Sequence, residues 1–148
     1  MSEAKTSVRV VLGTMTLGPA IGNAHMTGEH CDLPAWCQTP PDVALQQLQA
    51  LASCAHARVA SGPEAGKVLL DTASIYQNWA CEETLGKIFA EHPDLRAQFS
   101  VHSKVNSAFK PHKNLSKASV LHQVAGSLQR LGLACLDVLY LHSPDIET

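Results

Sequence analysis

Four side chains of complementary chemistry sit at or near the carboxyl ends of short predicted strands. Val68–Leu70 ends in Asp71, with Tyr76 five residues on in Asp-Thr-Ala-Ser-Ile-Tyr. Lys104 stands near the end of Phe99–Val105, and His142 follows Val138–Leu141. An acid, a phenol, an ammonium and an imidazole therefore come from three successive predicted strands. A free phenol, with a pKa of about 10, is a poor acid at neutral pH. An ammonium close to a phenol stabilises the phenolate, and a carboxylate keeps that ammonium charged and oriented. An imidazole can hydrogen-bond a carbonyl oxygen. The four groups together suit a carbonyl accepting a hydride, which needs an acid for its oxygen and a positively polarised pocket. No side chain supplies the hydride, so a nicotinamide cofactor is implied.

The elements that must position these groups alternate along the chain. Val8–Leu12 predicts a strand stopped by Gly13, and positions 18–39, without periodicity, predict a long loop. Thr39 is placed to cap a helix entered through Pro40-Pro41, with Leu45, Leu48, Leu51, Ala52 and Ala55 on one face. Val68–Leu70 is the second strand. Glu82 and Glu83 favour the start of the next helix, whose stripe is Leu85, Ile88 and Phe89 and which Pro93 ends. Phe99–Val105 is the third strand. Ser116 is a good N-cap for a helix with Val120, Leu121, Val124, Leu128 and Leu131 inward, and Gly132 stands at its C′ position. Val138–Leu141 is the fourth strand. The order β-α-β-α-β-α-β predicts parallel strands with crossover helices, an α/β fold. Four strands fit a small open sheet or part of a (β/α)8 barrel. Neither G-x-G-x-x-G nor G-x-x-x-x-G-K-[ST] is present to favour a doubly wound nucleotide fold.

At these residues the sequence resembles the aldo-keto reductase family, (β/α)8 barrels that reduce carbonyls with NADPH. Asp71-Thr-Ala-Ser-Ile-Tyr76 and Cys81-Glu-Glu-Thr-Leu-Gly86 resemble the family's second strand and following helix. Ser127-Leu-Gln-Arg-Leu-Gly-Leu and Leu136-Asp-Val-Leu-Tyr-Leu-His142 resemble its third helix and fourth strand. The ending His-Ser-Pro-Asp-Ile-Glu-Thr is most similar to the aflatoxin-aldehyde reductase branch, and Leu12-Gly-Thr-Met15 matches the end of the first strand. The resemblance implies Tyr76 as proton donor, Lys104 and Asp71 as its tuning pair, and His142 as the substrate-orienting residue. It also places Met15 and Asp71 against NADPH. It covers one domain, 1–148, that holds the first four β/α units of a TIM-type barrel, with a long loop insertion at 18–39. The family's fifth-strand region and its adenosine 2′-phosphate grip lie in units beyond these four. The stretch 55–66 is longer than the family usually carries.

Composition sets the bounds. The 148 residues are 45% hydrophobic and 16% charged with a net charge of −2, a globular balance without a polybasic arm. The partners expected are a small carbonyl substrate, with no nucleic acid and no membrane, and a second copy or a C-terminal half against the open edge of the sheet. Five scattered cysteines argue against a disulfide framework, and a cytoplasmic setting is the default. The beginning, with Glu3 ahead of a broken apolar stretch, fits a strand better than a signal peptide. Singly, Lys104 could snorkel to solvent, Asp71 could be a turn residue and Tyr76 could pack on Trp79. His25, His30, Cys31 and Cys37 do not have a structural zinc spacing, so no metal is expected. Lys110, His112, Lys113 and Lys117 read as a solvated basic patch. Cys54, Cys81 and Cys135 are expected to behave as small apolar residues. The alternatives to a reductase are a non-catalytic half-barrel acting through protein contacts and a piece of a longer reductase.

Overall fold

The computed structural model describes residues 11–17, 39–105 and 115–144. Four parallel strands form one sheet in the order β1-β2-β3-β4: Val11–Gly13, Val68–Asp71, Phe99–Val105 and Val138–Leu141. Between them lie α1 (Pro41–Ser53), α2 (Ala80–Glu91), the single turn α3 (Pro93–Arg96) and α4 (Lys117–Leu131). Short 3-10 turns stand at Ala55–Ala57 and Tyr76–Trp79. Strand order follows chain order without reversal, which is how a barrel wall is wound and not how a doubly wound sheet is.

The register explains the layers. Leu12 pairs with Leu70, and Leu70 with Val101, so these residues share one face. That face packs on Ala44 and Leu48 of α1, on Cys81, Leu85, Ile88 and Phe89 of α2, and on Leu131 of α4. Asp71, His102, Lys104 and Tyr140 alternate onto the opposite face, because successive strand residues point to opposite sides. Among the described residues no helix covers that second face.

Three expectations need correction. Thr39 does not cap α1. Pro40 holds the N-cap position, while Thr39 donates its backbone N–H to the Thr16 carbonyl at 2.8 Å and pairs its hydroxyl with that of Thr16. It is spent on the turn after β1. Ala55 leaves α1, which stops at Ser53, for the 3-10 turn. The apolar face of α4 is thinner than its sequence suggests: Ser127 and Leu131 are buried, but Leu121 is 59% exposed. The helix touches α2 and β3 along one edge, and β4's Leu139 and Leu141 on its far side are themselves exposed. Elsewhere the sequence signals hold. Ser116 Oγ accepts from the Ser119 N–H, and Gly132, at φ +65°, closes α4 with its N–H on the Gln129 carbonyl. Residues 8–10, expected in the first strand, lie outside the described residues, as do 18–38 with their His and Cys pairs and 106–114 with Lys110, His112 and Lys113. Among the described residues no helix is long and apolar enough to cross a membrane.

The longer stretch before β2 turns back on itself. Val59 and Gly66 pair, and the Val59 N–H reaches the Lys67 carbonyl at 2.8 Å. This brings Glu64 onto the open face of β3, where its carboxylate accepts from Ser100 Oγ and lies 2.6 Å from His102 Nε2. Tyr140 Oη is 3.2 Å from the other ring nitrogen. The Ser100 and His102 hydrogen bonds hold the Glu64 carboxyl below its ordinary value of 4.5. A carboxyl lowered by folding contributes stability above its unfolded value and loses it as pH falls through the folded one. Thermal midpoints compared at about pH 6 and about pH 3.5 should therefore fall less in Glu64→Gln than in the parent. An equal fall in both would remove Glu64 from the acid response.

Candidate active site

Backbone hydrogen bonds bring the strand ends to one level. The Thr14 N–H donates to the Asp71 carbonyl at 3.0 Å, the Thr72 N–H to His102 at 2.9 Å, and the Ser74 N–H to Lys104 at 3.2 Å. The His142 N–H donates to Val105 at 2.8 Å. These are ladder contacts of a parallel sheet, carried one step past the strands. They fix where the next side chains emerge.

Lys104 is the hub. Its Nζ donates to Asp71 Oδ2 at 2.7 Å, to the Thr72 carbonyl at 3.0 Å and to Tyr76 Oη at 3.0 Å. Three acceptors match the three N–H donors of an ammonium. At 15% side-chain exposure it is no snorkelling lysine. The same Nζ stands 4.8 Å from the centroid of the Tyr76 ring. Tyr76 opens the 3-10 turn and presents its ring edge-on to His142, centroids 5.9 Å apart at 84°. The structure thus gathers Asp71, Tyr76, Lys104 and His142 into one cluster at the carboxyl edge of the sheet, where parallel α/β folds place their chemistry. Tyr76 faces Lys104 and His142. Burial, then the Lys104 ammonium, push the His142 imidazole below its ordinary pKa, against the opposing pull of Asp71. His142 is accordingly neutral at physiological pH and has one ring N–H to donate.

Met15 stands two residues past Gly13, the partner of Asp71, and its side chain is 56% exposed. It projects at the same edge of the sheet as the four polar groups.

Three contributors were not legible from residue type. Thr14 Oγ1 donates to the Asp71 carbonyl at 3.1 Å, beside its own N–H. Cys81 is buried, and its Sγ donates to the Thr14 carbonyl at 3.0 Å and lies within 3.4 Å of Thr72 Oγ1. Burial pushes this thiol up to about 11. Cys81 thus packs in the core as a small buried residue and also hydrogen-bonds, whereas Cys54 and Cys135 are exposed free thiols. Gln77 Nε2 donates to the Met15 carbonyl at 3.0 Å. Gln77 and Trp79 both hold positive φ, +50° and +74°, a left-handed conformation that costs an L-residue about 1–2 kcal/mol. The sequence signals were the position of Gln77 next to Tyr76 and the places of Thr14 and Cys81 in Leu12-Gly-Thr-Met15 and Cys81-Glu-Glu-Thr-Leu-Gly86.

Behind the cluster, Glu82 is fully buried. It accepts from Ser103 Oγ at 2.7 Å and from Arg130 at 2.8 Å, tying α2 to β3 and α4.

Comparison with known proteins fits this arrangement. The profile described as the Aldo/keto reductase family matches residues 46–148. Aldo-keto reductase AFTS1 of Alternaria alternata is 28% identical over 156 residues, which covers 88% of this chain and 40% of that protein. A probable voltage-gated potassium channel subunit beta of Oryza sativa subsp. japonica is 31% identical over 87 residues, covering 57% of this chain and 26% of that one. The structure of aldo-keto reductase AKR11C1 from Bacillus halodurans, in its holo form, superposes with a TM-score of 0.56 at 19% identity over 94% of this chain and 37% of its own. The chain therefore spans well under half the length of these relatives.

Proposed function

This chain belongs to the aldo/keto reductase family, and on that premise we propose that it carries the proton-handling half of an NADPH-dependent aldehyde or ketone reductase. The observation that carries the reading is the Lys104 ammonium held between Asp71 at 2.7 Å and the Tyr76 phenol at 3.0 Å. Tyr76 donates its proton to the carbonyl oxygen as the carbon is reduced. Lys104 stabilises the phenolate left behind, and Asp71 holds Lys104 in place. His142, neutral through burial, donates its ring N–H to the substrate oxygen and sets which face is presented. The residues fit a nicotinamide cofactor: they handle a proton and polarise a carbonyl but hold no source of hydride, and the exposed Met15 follows β1 at the same end of the sheet. Met15 and Asp71 would hold the cofactor, which when bound supplies the hydride. The resemblance to the aflatoxin-aldehyde reductase branch supports a small aldehyde or ketone as substrate, and the cytoplasm is the setting we propose.

A second reading, a half-barrel acting through protein contacts, is favoured by β4. Its Leu139, Tyr140 and Leu141 are 39%, 44% and 58% exposed, an open flank for a further strand from a C-terminal half or a second copy.

The deciding experiment is a titration of the 148-residue chain with NADPH, followed by quenching of tryptophan fluorescence. Saturable quenching, weakened severalfold by Lys104→Met, is the result expected. A folded chain that does not bind NADPH overturns the reading of these 148 residues as a reductase in their own right, and leaves a piece of a longer reductase or the half-barrel reading. Sedimentation then decides between a monomer and a β4-paired dimer.

A further inference from the structure

Two side chains outside the tetrad staple the turn after β1 to the segment that carries Tyr76. Gln77, next to Tyr76 and 2% exposed, donates to the Met15 carbonyl at 3.0 Å. Cys81, four residues on, donates to the Thr14 carbonyl at 3.0 Å and lies 3.2 Å from Thr14 Oγ1. Consecutive carbonyls of one turn are thus held by two side chains of one segment. The Cys81 sulfur also lies 3.4 Å from Thr72 Oγ1, and the Thr72 carbonyl is an acceptor for Lys104.

The backbone supports a role beyond packing. Gln77 keeps φ at +50° although it carries a side chain, a conformation that persists only where the surroundings over-determine it. Glycine would relax the backbone at that position but would leave the Met15 carbonyl without this donor. The residue in place is the one that can reach across.

We propose that Gln77 is a positioning residue, with Cys81 as its second anchor, that sets the Met15 turn relative to the Tyr76 phenol and so places the nicotinamide cofactor against the proton donor. The proposal rests on the reductase reading above. The staple acts before any cofactor arrives, because all its bonds lie within the chain.

Two readouts test it. Gln77→Met keeps the length and burial of the side chain but loses the N–H donor. Gln77→Gly loses the donor and also relieves the positive φ, which guards against a variant that does not fold. In the chain without cofactor, amide hydrogen exchange at residues 14–17 should quicken about tenfold in both variants, with thermal midpoints close to the parent's. Affinity for NADPH should fall about tenfold in both. Cys81→Ser, which keeps a donor, should bind more tightly than Cys81→Ala. Unchanged exchange at the turn overturns the proposal, as does parental affinity in variants whose turn has loosened. In either case a parent chain that binds NADPH leaves the reductase reading standing. A parent without NADPH affinity overturns that reading and the proposal together.

Discussion

Gly86→Ala is expected to lower the stability of the chain by about 3 kcal/mol, at the upper end of the usual cost of overpacking. A Cβ at position 86 would stand 2.0 Å from the Arg130 carbonyl oxygen and 3.1 Å from the Arg130 and Leu131 carbonyl carbons. All three atoms are backbone, so no rotamer change makes room, and α2 and α4 must separate. Their separation also strains the Glu82–Arg130 pair, which is 2.8 Å long with Glu82 fully buried. A buried carboxylate that loses its partner is costly. Calorimetry should show a drop in Tm of about 6–12 °C. Gly126→Ala is the control: its Cβ meets only the Arg130 side chain, at 3.0 Å, and alanine has the higher helix propensity. That variant should stay within about 1 kcal/mol of the parent. A Gly86→Ala chain that melts with the parent would mean that the two helices do not approach this closely.

On the reductase reading proposed above, Tyr76→Phe is expected to reduce the rate of NADPH-dependent carbonyl reduction by about 10²–10⁴-fold, the range for losing a positioned general acid. The ring can keep its edge contact with His142, and Lys104 retains Asp71 and the Thr72 carbonyl as acceptors. The fold and the cofactor affinity should therefore survive, confining the loss to the chemical step. Rates with saturating NADPH, set beside binding by fluorescence, separate the two effects. A variant that keeps more than about a tenth of the parental rate would move the proton to another group. His142 is the nearest candidate, and its lowered pKa, from burial and the Lys104 charge, leaves it neutral and a weaker acid for that task.

Much of this was readable in the residues themselves. Short apolar runs followed by a polar residue marked β2 and β4, Phe99–Val105 was read as β3 between them, and the parallel sheet puts the three ends at one edge. That Asp71 and Lys104 also share a face follows from the Asp71–His102 register, which the folded sheet supplies. Ser116 and Gly132 marked both ends of α4 because a cap and a left-handed C′ residue are local requirements. Thr39 misled for the same reason: its type suits a cap, but the Thr16 carbonyl and hydroxyl compete for it from 23 residues away. Leu121 misled because helical periodicity shows a face and not how much of that face finds a partner.

The sequence by itself determined the alternation of elements and the edge that Asp71, Tyr76, Lys104 and His142 share, since period and residue type are properties of short stretches of chain. The tertiary structure alone decided what those residues touch. Lys104 finds three acceptors because β2, the Tyr76 turn and β3 converge on one point. Gln77, Cys81 and Glu64 acquire their roles from partners 62, 67 and 38 positions away. A hydrogen bond needs its two atoms within about 3 Å, and separation along the sequence carries no such information until the chain has folded.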